Sequence, residues 1–288
     1  MQGTVDGFSY GLVTPLVAYV MACLGGALGL RCTTRAMLVA HSWRPGWLAL
    51  GSAAIGSGIW TMHFIAMIGF TVEDAPIHYD KPTTYASLGV AILMVGVGIF
   101  IVGYKGATGT ALFTGGTITG LGIASMHYLG MAGIRFDGEL EYDTFTVGVS
   151  VAIAMAAATA ALWAAGQVRG SMWSVGAGLV MGLAVTGMHY TGMAALSVHL
   201  HTTDTPTAGD SPAALLAPML IGPLAFLCLA GAVVMFDPLM VMGRPDWTPA
   251  EHKPGVPAHP AAPLRSRRSR LRGRRRVAYV DSRAPQNR

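Results

Sequence analysis

Charge is what this sequence has least of. Only 11% of its 288 residues are Asp, Glu, Lys or Arg, against 52% that are hydrophobic. Soluble domains carry about a quarter charged residues, so an ordinary water-soluble fold is excluded. The scarcity is also organised. Seven stretches contain no charged residue: Tyr10–Leu30, Trp47–Phe70, Tyr85–Tyr104, Thr110–Ile134, Phe145–Gln167, Trp173–Val198 and Ala213–Phe236. Each reaches the roughly 20 residues a helix needs to cross a bilayer. Helices satisfy every backbone amide internally, as a lipid environment demands.

Other absences narrow the function. Cys23, Cys32 and Cys228 make no CxxC pair and no disulfide framework. Two of them fall in apolar stretches, and Cys32 falls in the segment after the first. Met1–Ser9 contains Asp6 and no basic residue, so it lacks the positive region of a cleavable signal peptide. No carboxylate interrupts any apolar stretch, and no HExxH or Ser-x-x-Lys occurs in one. A histidine base there would have no acid to orient it, and a proton relay would have no links. The chain is therefore not read as an enzyme.

The reading is an all-α, polytopic membrane protein with seven transmembrane helices. Residues 1–240 form the membrane domain, and 241–288 form a disordered Pro- and Arg-rich cytoplasmic tail. Arg31, Arg35 and Arg44 follow the first stretch, Lys105 the third, Arg169 the fifth, and twelve further cations the seventh. Positive loops stay inside, which puts the N-terminus outside and the C-terminus inside. Asp6, Glu73, Asp74, Asp80, Asp137, Glu139, Glu141, Asp143, Asp204 and Asp210 fall on the outer side. The location expected is a cell membrane, crossed several times. In the tail, eight arginines lie within Arg265–Arg276. Such a cluster suits anionic lipid headgroups. Nucleic acid is disfavoured, because no folded module or interleaved aromatic accompanies the arginines.

The polar residues that do enter the apolar stretches repeat. His63, His127 and His189 are spaced by 64 and 62 residues. Each is preceded at seven residues by glycine (Gly56, Gly120, Gly182) and at one by methionine (Met62, Met126, Met188). Each is followed at one by a ring (Phe64, Tyr128, Tyr190) and at three by a small residue (Ala66, Gly130, Gly192). Methionine comes again at four (Met67, Met131, Met193), and aspartate at 15 to 17 (Asp80, Asp143, Asp204). The pattern is an internal repeat of about two helices. Stretches two, four and six run in the same direction, so the three copies are parallel and place their histidines at one depth, roughly 10 Å below the outer boundary. Histidine and the methionine four residues later share a helix face. The glycines are expected to draw stretches two, four and six together, with room opening outward for three imidazoles and three thioethers.

Imidazole with thioether is a soft-to-borderline donor set that favours copper, above all Cu(I), over Mg or Ca. Three histidines also suit zinc, which leaves the methionines without a purpose. Haem with His or His/Met axial ligands is a rival. The candidate metal ligands are His63, His127, His189, Met67, Met131 and Met193, with Met62, Met126 and Met188 at the rim. Tyr128 and Tyr190 are candidate supporting donors. Gly56, Gly120 and Gly182 are candidate packing residues. His78, His199 and His201 belong to outer segments and His41 to the first inner one. A copper conduit and a purely structural or partner-binding protein remain as alternatives.

At Met62-His63-Phe64-Ile65, Met126-His127-Tyr128-Leu129 and Met188-His189-Tyr190-Thr191 the sequence resembles the MHYT family of bacterial integral-membrane sensor domains. The resemblance covers roughly Tyr10 to Phe236. It implies a sensory role in which copper near the outer face detects oxygen, carbon monoxide or nitric oxide. Many members of the family it resembles carry a cytoplasmic signalling domain, such as a cyclic-di-GMP enzyme or a histidine kinase. Here only the Pro- and Arg-rich segment follows, so output is expected to pass to a separate signalling protein. Phe64 stands where the family has tyrosine, so three phenols cannot act together.

Overall fold

The structure is a computed structural model that describes residues 5–6, 9–72, 77–167, 171–200 and 211–237. The tail from 241 onward, including Arg265–Arg276, lies outside the described residues. So do Glu73, Asp74, Arg169, His201, Asp204 and Asp210.

Each charge-free stretch forms a helix: α1 (Val13–Leu38), α2 (Arg44–Ile68), α3 (Lys81–Lys105), α4 (Gly109–Ala132), α5 (Thr144–Ala165), α6 (Ser171–Ala194) and α7 (Pro212–Met235). All but α4 are long and apolar enough to cross a membrane. Helix α4 is as long, but its six glycines and four threonines dilute its apolarity. The helix starts are marked by local chemistry. Asp80, Thr108, Asp143 and Ser211 each accept a hydrogen bond from the backbone N–H three residues on, the arrangement that relieves the unpaired donors of a first turn. Helix α3 stops at Gly106, whose φ of 75° is a left-handed conformation open mainly to glycine.

Two boundaries differ from the sequence reading. Helix α1 continues through Arg31 and Arg35 to Leu38, so Cys32 is a fully buried helical residue rather than a loop residue. Charge does not end a helix. Arg35 is kept inside the packing because its Nε donates to Asp237 Oδ2 at 2.7 Å and its guanidinium lies over the Trp47 ring. The segments expected as loops also contain short strands. β1 (Val5–Asp6) pairs antiparallel with β2 (Thr71–Val72), β3 (His78–Tyr79) with β4 (Ile134–Arg135), and β5 (Gly138–Tyr142) with β6 (Leu196–Leu200).

These ribbons reveal the repeating unit. Each is strand–helix–helix–strand, with its two strands paired to each other. The three units are β1-α1-α2-β2, β3-α3-α4-β4 and β5-α5-α6-β6. Their six helices form a closed ring: α1 against α2, α2 against α3, and so on until α6 returns to α1. Helix α7 packs outside the ring, chiefly on α2. All three ribbons lie at one end, the end at which α2, α4 and α6 carry their histidines.

Candidate metal centre

The ring brings His63, His127 and His189 together. Their Nδ1 atoms form a triangle with sides of 3.0, 3.1 and 3.2 Å, and all three residues are buried. The imidazole planes cross at 78° to 88°. Among the described residues this is the group of His, Cys, Asp or Glu side chains placed to hold a metal.

Hydrogen bonds alone do not satisfy this triangle. A neutral imidazole has one N–H, and on each nitrogen the proton or lone pair lies in the ring plane and points in one direction. No Nδ1 can donate to one neighbour and accept from the other. When the protons sit on Nε2, three lone pairs face one another, which a cation relieves. The centre of a triangle with these sides lies about 1.8 Å from each corner, slightly inside the ~2.0–2.1 Å of a metal–imidazole bond. An ion just off the plane therefore meets all three. The donor set fits one small ion.

The outer faces of two imidazoles rest on glycine. A Cβ on Gly130 would come 2.7 Å from His63 Nε2, and one on Gly192 would come 2.6 Å from His127 Nε2. Both Nε2 atoms are buried without a hydrogen-bond partner. In the second and third repeats, the glycine three positions after the histidine is thus what lets the preceding repeat's imidazole seat against the helix. The sequence showed this position as small without assigning it that task.

The glycines seven residues before the histidines act elsewhere than expected. Gly56 faces the backbone of Ile92 on α3, Gly120 that of Met155 on α5, and Gly182 that of Cys23 on α1. They seal α2 to α3, α4 to α5 and α6 to α1, and do not draw α2, α4 and α6 together. Two turns along the helix the neighbour has changed, so a shared face does not mean a shared partner. The even-numbered helices converge at the histidines instead. One turn below, Ile59, Ile123 and Val185 take the same positions. With Ile55, Met181 and Leu30 they line an apolar space of about 20 Å³.

The rings that follow the histidines pack edge-to-face on them. Centroid distances are 4.6 Å for Phe64, 4.8 Å for Tyr128 and 4.9 Å for Tyr190. Tyr128 and Ser150 are linked at 2.6 Å; Ser150 Oγ donates to the Val147 carbonyl, so the tyrosine hydroxyl donates to Ser150. Ser87 stands at the matching place in α3, seven residues after its capping aspartate. There Trp60 Nε1 donates to Ser87 Oγ at 3.0 Å, and Phe64 packs against the Trp60 ring. Neither serine was singled out in the sequence, although each follows a capping aspartate by the same interval. Beyond Tyr128 stands Tyr142 on β5, whose hydroxyl is pushed up to about 12 by burial and by the nearby Tyr128.

Met62, Met126, Met188, Met67 and Met131 are fully buried, and Met193 is partly buried in the same core. Of the repeated aspartates, Asp80 and Asp143 are helix caps. Hydrogen bonds from Thr83 and Thr146 hold their carboxyls below the ordinary range. The other histidines stand apart. His199 Nε2 meets Glu141 Oε2 at 3.0 Å, His78 is exposed on β3, and His41 lies edge-on to Tyr104.

The same threefold repeat is found by sequence comparison. The chain belongs to the MHYT family, described as a bacterial signalling protein N-terminal repeat, which matches at residues 56–115, 120–178 and 182–239. It is similar to the bifunctional diguanylate cyclase/cyclic di-GMP phosphodiesterase MucR of Pseudomonas aeruginosa, at 38% identity over 192 residues, 65% of this chain and 28% of MucR. It is also similar to the cyclic di-GMP phosphodiesterase NbdA of the same organism, at 32% identity over 206 residues, 68% of this chain and 26% of NbdA. The signaling protein YkoW of Bacillus subtilis is 29% identical over 197 residues, 66% of this chain and 24% of YkoW. The chain thus spans about a quarter of the length of these relatives. No solved structure matches it.

Proposed function

We propose that this chain is a membrane-embedded sensor that holds one copper ion through Nδ1 of His63, His127 and His189. The observation that carries the reading is the convergence of three buried Nδ1 atoms within 3.2 Å of one another. Copper is favoured over zinc by the buried methionines around the triad. Met67, Met131 and Met193 would complete or compete for the coordination, and Met62, Met126 and Met188 would shape the rim. Haem fits less well, because imidazole nitrogens in mutual contact leave no slot for a macrocycle. When bound, copper supplies a soft centre able to take oxygen, carbon monoxide or nitric oxide.

The residues of the chain do the rest. Phe64, Tyr128 and Tyr190 fix the imidazole planes and exclude water. Gly130 and Gly192 admit the rings of His63 and His127. Tyr128 has its hydroxyl on Ser150, so in this conformation it supports the site through its ring. The apolar layer of Ile59, Ile123 and Val185 closes the axis below the triad, which favours binding over ion passage and so a sensor over a copper conduit. A changed coordination would re-pack α2, α4 and α6, which meet at the triad.

The proposal includes seven crossings with the N-terminus outside and the C-terminus inside, in a bacterial cytoplasmic membrane. With that direction the triad would lie near the outer face, and the arginine cluster Arg265–Arg276 would be available to anionic lipid. No catalytic role is proposed. Output would pass to a signalling protein of the cyclic-di-GMP type that the relatives' names describe.

The test is elemental analysis of the detergent-purified protein beside its triple His→Ala variant. Copper present in the first and absent from a folded second is the expected result. No copper in the wild type after anaerobic Cu(I) loading would overturn the reading.

A further inference from the structure

The triad is buried, yet anything it senses has to reach it. An open groove of about 560 Å³ lies between the end of α4, the strands β4 and β5, and the start of α5. Tyr128, Met131, Phe136, Leu140, Tyr142 and Val147 line it. His127 does not line the groove, but Tyr128 does, and its ring packs edge-to-face with His127 at 4.8 Å. Tyr128 therefore stands as a partition between groove and triad. It is half-buried, whereas Phe64 at the matching place in the first repeat is fully enclosed under Trp60. The hydrogen bond from its hydroxyl to Ser150, together with edge-on packing against Tyr142, holds the partition.

We infer that this groove is the entrance by which small uncharged molecules reach the triad, with Tyr128 as its door and Ser150 as the positioning residue that keeps the door shut. The walls argue for an uncharged guest. They are mainly apolar, and the one charged group lining them is the Arg135 guanidinium. A hydrated cation would lose water there without gaining a partner and would meet a like charge. A small neutral molecule pays neither cost. The inference deepens the sensor reading by naming the route and class of the sensed molecule.

The entrance is tested without metal. Diethyl pyrocarbonate is small, neutral and reactive toward imidazole. The metal-free full chain in detergent is exposed to it, and mass spectrometry follows labelling of the three triad histidines against exposed His78. Ser150→Ala removes the bond that holds Tyr128, and loss of one hydrogen bond is expected to speed triad labelling about fivefold. Val147→Trp fills the groove and is expected to slow it about tenfold. Leu140→Trp, on the opposite wall, does the same if the Val147 variant fails to fold. His78 labelling should not change in any variant. Triad labelling that is unaltered by both Ser150→Ala and a folded groove-filling variant overturns the entrance, as does a triad that stays unlabelled in Ser150→Ala. Copper content of the same variants is measured separately. Loading without a labelling effect sinks the entrance and leaves the metal site standing. A labelling effect without loading sinks the metal site alone.

Discussion

The first and second repeats have the same backbone plan and satisfy it with different side chains. In the second, the ring after the histidine is Tyr128, and its hydroxyl reaches Ser150. In the first that ring is Phe64, and the matching Ser87 accepts from Trp60 instead. A buried hydroxyl requires a partner in both places, and each repeat supplies one from whichever side chain lies within reach. The small residue also differs: Gly130 seats His63, while the first repeat has Ala66 at that position. What is repeated is the place of each histidine and the polar satisfaction around it, not the motif string.

Substitutions can break this comparison. The largest effect is expected from His127→Ala. It removes one of three donors and should lower copper affinity by more than the roughly 10–100-fold attached to supporting residues, with helicity retained. Copper titration with circular dichroism checks it, and unchanged affinity in a folded variant would remove His127 from the site.

Next comes Gly130→Ala. Its new Cβ would lie 2.7 Å from His63 Nε2, so the imidazole must shift. Overpacking of this kind costs about 1–3 kcal/mol, and copper affinity should fall with stability. Ala66→Gly should cost about 1 kcal/mol through helix propensity alone, so a melt and a metal titration distinguish the two.

A smaller effect sharpens the contrast between the rings. Phe64→Tyr puts a tyrosine after the first histidine as in the other two repeats, yet Ser87 is already bonded to Trp60 and to the Thr84 carbonyl. The added hydroxyl should destabilise by about 1–3 kcal/mol. Tyr128→Phe should cost about 1 kcal/mol. Equal stability of Phe64→Tyr and wild type in denaturant melts would show that a partner exists.

The smallest effects belong to the caps. The carboxyls of Asp80 and Asp143 are held below the ordinary carboxylate range because Thr83 and Thr146 donate to them. A depressed folded value means that their stabilisation is complete above the ordinary carboxylate range and is lost as pH falls through that depressed value. Asp80→Ala and Asp143→Ala should therefore melt slightly lower than wild type near neutral pH and approach it in acid, as pH falls through the depressed values. A difference that persists in acid would assign these residues another role.

Much of the centre was legible along the chain. Spacings of 64 and 62 residues with matched neighbours placed three histidines at one depth, because depth depends only on helical rise. The repeated aspartates were legible as a period but not as caps, although Asp80 with Pro82 ahead of an apolar run is a helix-start signal. The β5 strand could have been found in Gly138–Tyr142, where exposed Glu139 and Glu141 alternate with the partly buried Gly138, Leu140 and Tyr142. The task of Gly56, Gly120 and Gly182 was not legible. A glycine announces a close approach without naming the partner, and the partner depends on which helix stands alongside.

The sequence by itself determined that the chain is helical and apolar, that it is built three times over, and that its imidazoles share one level. These are local properties of composition and helical period. Only the tertiary structure decided that the three Nδ1 atoms meet, that Gly130 and Gly192 seat the rings of His63 and His127, and that Tyr128 walls off a groove. Those facts depend on α6 closing back onto α1, a contact between residues far apart in sequence, and no periodicity within one helix specifies which neighbour completes a ring.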